Sequence, residues 1–130
     1  MIHFDSPYLT VHWNEEGQFV EMEWKKNAEG DDFRTGLNAG LNLVIEKKAF
    51  KWLADLRNLG VVAKEDRIWS NEDWFPRAFA AHIQYMAIVV PQSVFGKLSV
   101  NEIMQKVEYK ELTVFYLEDI DEARKWLRSQ

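Results

Sequence analysis

The chain has no cysteine, three prolines and six glycines in 130 residues. Without thiols there is no disulfide, no cysteine zinc site, no iron–sulfur cluster and no thiol nucleophile. No run of five basic residues exists, and the net charge is −5. That disfavours nucleic acid and anionic membrane surfaces as partners, because both require a positive footprint. The longest apolar run, Met86–Pro91, is far too short to span a bilayer. The opening MIHFDSPYLT has no basic segment before an apolar one, so it does not read as a signal peptide. These absences point to a soluble cytoplasmic protein with no membrane insertion and no nucleic-acid partner.

The composition is that of a globular protein: 47% hydrophobic and 28% charged. One domain over residues 1–130 is expected, with a core large enough to need no staples. Aromatics reach 14% and include six tryptophans, which are expected first to build the core, with only a minority on a binding face.

The organising stretch is Ala49–Asn58, AFKWLADLRN. Its apolar run implies a strand covered on both faces. Asp55, Arg57 and Asn58 stand at its exit, and a buried Asp55 needs a partner, with Arg57 the nearest. Before it, Leu9, Val11 and Trp13 alternate with Thr10 and His12, then Val20, Met22 and Trp24 with Glu21 and Glu23. Two period-2 runs around Asn14–Gly17 read as a β-hairpin with one wet face, which leaves Glu21 and Glu23 in solvent. Residues 1–7 read as a lead-in.

A helix is expected from Asp31, its stripe formed by Phe33, Leu37, Leu41, Val44 and Ile45. Gly36 and Gly40 in that helix imply close approach to the sheet. Lys64–Ala81 reads as a second helix, kinked at Pro76. Its register is ambiguous, and Ser70 with Asp73 offers an alternative capping box. Tyr85–Pro91 is a buried strand, and Ser99 with Glu102 signals a helix to Val107. Leu112–Leu117 is a strand, and Asp119 caps a last helix at Ile120–Arg128. The expected fold is α/β: a mainly parallel five-stranded sheet with an N-terminal antiparallel hairpin, ordered β-β-α-β-α-β-α-β-α.

The segments KKAFKWLADLRNLG, WSNEDWFPRAFAA, AIVVPQSVF and EARKWL resemble a group of SpoIIAA-like, or STAS-type, bacterial domains. The resemblance runs from Tyr8 to Leu127. It implies a parallel sheet wound as a βα superhelix, and a non-catalytic, protein-binding, regulatory role. STAS-type antagonists carry a phosphorylatable Ser after the third strand. The corresponding Asn58–Ala63 has no hydroxyl, so the switch is not implied. The group tends to have Gly where His82 stands.

No nucleophile elbow, zincin helix, phosphate loop or dinucleotide fingerprint is present, and His3, His12 and His82 lack metal spacing. No catalytic residue, metal site or cofactor is therefore expected. Ligands of open parallel sheets bind outside the carboxyl ends of the strands. The candidate ligand- or partner-binding residues on that ground are Asp55, Arg57, Trp69, Trp74, Arg77 and Ser93. A protein-interaction domain expects an exposed apolar patch at Trp69 and Trp74. A small-molecule or lipid carrier, a reading that rests on the wider fold's likeness to CRAL-TRIO domains, expects an enclosed cavity beside the kinked helix. An enzyme would need Asp55, Glu72 and Arg77 within hydrogen-bond reach. A homodimer is a further partner, because Thr113, Phe115 and Tyr116 leave one sheet edge with little charge protection.

Overall fold

The computed structural model describes Met1–Gln130. Six strands form one sheet in sequential order: β1 (Ile2–Asp5), β2 (Leu9–Asn14), β3 (Phe19–Trp24), β4 (Lys51–Asp55), β5 (Tyr85–Val89) and β6 (Thr113–Leu117). The first two pairings are antiparallel and the last three parallel. The sheet thus has six strands rather than five, because residues 1–7 are not a lead-in. Ser6 Oγ accepts from the Tyr8 and Leu9 amides and turns the chain, so that β1 folds back on β2.

Three helical segments cross between the parallel strands: α1 (Asp31–Lys47), the run α2 (Lys64–Trp69) to α3 (Phe75–Ala80), and α4 (Val94–Met104). A right-handed crossover repeated along a sequential sheet places every helix on one face. Accordingly Val20, Met22, Trp52, Ala54, Met86 and Ile88 share one core with Leu41, Val44, Phe75, Ala78, Val100 and Ile103. The opposite face receives only α5 (Ile120–Arg128). Its Ala123 and Leu127 pack on Phe19, Leu53, Ala87 and Val89. All five residues of β4 are buried, as its apolar run demands.

Helix α1 lies close to the sheet because Gly36 and Gly40 allow it. A β-carbon at Gly40 would overlap Met22 Sδ and Trp52 Cη2. Ile45, at the margin of the expected stripe, is exposed.

Helical backbone runs without a break from Lys64 to Ala80, as expected, but the turn before Pro76 is not α. Ser70–Trp74 is a π-helical turn, in which the Phe75 amide reaches the Ser70 carbonyl five residues back. The widened turn carries α2 straight into α3 and puts Pro76 in the first α-turn after the bulge, where the displaced ladder accommodates its ring and missing N–H. Ser70 caps nothing; its hydroxyl donates to the Asp66 carbonyl at 2.8 Å. Helix α4 also begins earlier than Ser99. Ser93 is its cap, accepting from the Gly96 amide at 2.8 Å. Ser99 lies inside α4 and accepts from the Val62 amide instead. His82 has φ 71°, the left-handed conformation for which glycine is better suited.

Candidate functional site

The expected site residues fall on both sides of the sheet. Asp55 shares the α5 side with Leu53, because strand side chains alternate. It is buried and forms a two-pronged pair with Arg57, Nε to Oδ1 at 2.8 Å and the second nitrogen to Oδ2 at 2.7 Å. The Arg57 amide also donates to Asp55 Oδ1, at 3.3 Å. The carboxylate's hydrogen bonds hold the guanidinium pKa above its ordinary value. This pair borders an open polar cleft of about 510 Å³ where α5 stops short of β1–β3.

Glu21 sits in the same cleft and is not in solvent. Arg124 of α5 grips it with two nitrogens, at 2.8 and 3.2 Å, and the pair raises the arginine's pKa. Glu23 does stay exposed, and His12 Nε2 lies 3.3 Å from its carboxylate. No local sequence signal marks the Glu21–Arg124 pair, whose members stand 103 residues apart. The amphipathic pattern of β3 hides it, since a glutamate on a wet face looks the same.

Trp69, Trp74 and Arg77 occupy the other side. Trp74 is only 2% exposed, against Trp52 and Phe75, and its indole donates to the Leu37 carbonyl at 3.0 Å. Trp69 is half-buried, flanked by the guanidinium groups of Arg34 and Arg77 at 5.4 and 5.9 Å. An exposed apolar patch at Trp69 and Trp74 is therefore absent: one indole is core, the other is clothed by cations. Neither overhangs Asp55, because the sheet lies between. Arg77 is engaged by Asn38 and Asp73. Asp55, Glu72 and Arg77 do not converge, and no group of three acidic or histidine side chains is placed to hold a metal ion. Ser93 is occupied as the α4 cap.

Two features near the carboxyl ends of β4 and β5 remain. An apolar cavity of about 80 Å³ lies between the sheet and the π-turn, walled by Trp52, Trp74, Phe75, Ile88 and Ile103, with Ser70 its one polar liner. Beyond it, α4 turns Val94, Phe95 and Leu98 outward, exposed by 68, 67 and 55%. These three positions span about 100° of helix surface. The loop Leu59–Val62 packs on the buried side of α4, where a β-carbon at Gly96 would meet the Leu59 carbonyl and the Val62 amide donates to Ser99, while Val61 is exposed. With the start of α4 placed at Ser99, this apolar surface is invisible in the sequence.

No helix is long and apolar enough to cross a membrane. No curated protein and no solved structure matches the chain at a significant level. A family model described as SpoIIAA-like matches residues 19–128, from the first residue of β3 to the last of α5. Sheet order, one-sided crossovers and the N-terminal hairpin agree with that match, and the chain belongs to the SpoIIAA-like family.

Proposed function

We propose that the protein is a non-catalytic interaction domain with a regulatory role. Its partner is a protein that docks on the first turns of α4. The observation that carries this reading is the exposure of Val94, Phe95 and Leu98 at the carboxyl ends of the strands. Three neighbouring apolar side chains left in water cost solubility and contribute nothing to the core, which is the signature of a contact surface. The arginines of the polar cleft support it from the other direction. Arg57 and Arg124 are each committed to a carboxylate, so the two buried carboxylates of the cleft, Asp55 and Glu21, are held in ion pairs rather than free to act as a base.

A phosphoserine switch has no place in this reading. The loop after β4 holds no hydroxyl. The nearest hydroxyl behind it, Ser99, is buried and occupied by the Val62 amide.

The carrier reading rests on the cavity beside the π-turn. Ligand pockets run to roughly 300–1,000 Å³. A cavity of about 80 Å³ falls short of even the ~150 Å³ that admits benzene. It favours a packing void over a lipid site.

The test is a photo-crosslinking residue at Phe95 in cells of the source organism, with Glu46 on exposed α1 as control. One discrete adduct at position 95, lost on Leu98→Lys and absent at 46, is the expected result. A native mass spectrum with excess mass that vanishes on denaturation, and no adduct at 95, would replace the interaction reading with the carrier one.

A further inference from the structure

We infer that β6 is a self-association edge, and that the second occupant is another copy of this chain paired antiparallel across it. The sheet ends at β1 on one side and at β6 on the other. The two edges are protected differently. Strand β1 has four residues, carries His3 and Asp5, and is broken by a bulge between Ile2 and Phe4. Such devices blunt an edge. Strand β6 is a regular run of five residues, TVFYL, without charge, proline or glycine. Two of its side chains, Phe115 and Tyr116, are 44% and 51% exposed.

The hydrogen-bond pattern shows what the edge offers. Thr113 donates to Gln84, and Leu117 accepts from Val90. In a parallel ladder both backbone groups of alternate residues face the same neighbour. Thr113, Phe115 and Leu117 therefore face β5, and the amides and carbonyls of Val114 and Tyr116 point outward.

The antiparallel register that overlaps all five residues has one solution. Val114 lies opposite Tyr116 of the other copy, and the two exchange both hydrogen bonds. Phe115 sits on the two-fold axis, opposite its own counterpart, in the closer of the two pair types. Its ring stacks on Trp126 at 5.0 Å, and Trp126 meets Tyr85 at 6.2 Å. A row of aromatic rings thus runs over the α5 side and stops at the open edge. Pairing at Phe115 continues the row into the second copy. The shared strand and these rings form a contact at the small end of specific interfaces, so a micromolar, concentration-dependent dimer is expected rather than a permanent one. The aromatic row lies on the α5 side, while Tyr116, on the other side, shares a groove with Lys97 and Asn101 of α4.

The absence of cysteine makes the register directly testable. In this geometry Phe115→Cys places two thiols across a close pair, within the Cα separation that a disulfide accepts. Mild oxidation is expected to give a covalent dimer faster than for Tyr116→Cys or Glu46→Cys. Because the cysteine also removes a ring, Val114→Pro is the second arm. It deletes an outward N–H and leaves the ladder to β5 intact. Sedimentation should show dimerisation weakened by roughly thirtyfold, since two symmetry-related hydrogen bonds are lost. Its circular dichroism should match the parent. A parent chain that stays monomeric throughout the micromolar range would overturn the inference. So would a dimer untouched by Val114→Pro, or a Phe115→Cys that oxidises no faster than Glu46→Cys.

Discussion

At the residue scale the most informative side chain is Lys51. It is buried, and its ammonium donates to the Gly17 and Leu127 carbonyls at 3.1 and 2.9 Å, with no carboxylate among its hydrogen-bond partners. Burial holds its pKa below the ordinary 10.5. The unfolded chain keeps this proton to higher pH. Between the folded pKa and ~10.4 the unfolded state therefore binds more protons, and stability rises with pH. Below that window the amine is charged in both states and the desolvation cost is present in full. Lys51→Met removes this dependence. The expected outcome is a melting-temperature difference that moves in favour of the parent chain as pH climbs from neutral to about 10; a flat difference would show that Lys51 does not titrate with folding. Gly40 carries the opposite kind of constraint. Ala gains helix propensity worth ~1 kcal/mol, but its methyl meets Met22 and the unyielding ring of Trp52. Gly40→Ala is expected to lower stability by about 1–3 kcal/mol in urea unfolding, as overpacking does. The approach of α1 at Gly36 and Gly40 was legible in the sequence because a glycine pair four apart has few other uses. The Asp55–Arg57 pair was legible because both members lie on one strand exit. The burial of Lys51 was not, since the carbonyls that hold it lie 34 and 76 residues away.

At the element scale, the chain's local signals compete, and geometry decides between them. Ser93 and Ser99 both precede helical sequence, and only Ser93 caps. The wrong choice removes Val94–Leu98 from the helix and with it the whole exposed apolar surface. Pro76 reads as a kink because a regular α-helix is assumed before it; the π-turn resolves the conflict by widening the continuous helix just before the proline. Helix α5 shows how an element is held by distant partners. Glu21 is nearly buried, and its charge is matched by Arg124 alone among arginines and lysines. Truncating one partner of a buried pair costs about 3–5 kcal/mol. Arg124 is over a third exposed, so solvent screening cuts the expected loss for Arg124→Met to about 1–3 kcal/mol. Adding Glu21→Gln should recover part of it, because the stranded carboxylate is then gone. A double-mutant cycle in urea measures this directly. Strictly additive losses would mean that the pair contributes no coupling and that α5 is held by its apolar and aromatic contacts and the Lys51 hydrogen bond.

At the scale of the whole molecule, the asymmetry of the sheet governs stability. Crossovers of one hand stack α1, α3 and α4 on one face, where 25 buried residues form a continuous core. The other face holds six, under α5. Strand and helix order follow from hydrophobic period and were readable; which face each helix covers follows from handedness, and where α5 stops is set by its length. Core size predicts how the molecule opens. A unit anchored by few buried side chains detaches at lower free energy than the main core. Strand β4 is buried on both faces, so it should unprotect only with global unfolding. Helix α5 should open first, carrying Ala123–Leu127 away from Leu53 and Ala87 while the larger core stays closed. Native-state amide exchange is expected to show α5 protection well below that of Trp52–Ala54. Arg124→Met should lower the former further, with the latter changing only by the loss in global stability. Equal protection of α5 and β4, lost together in the variant, would instead make the α5 face part of the global folding unit. The exposed polar cleft beside it would then be a rigid surface rather than one that opens with the helix.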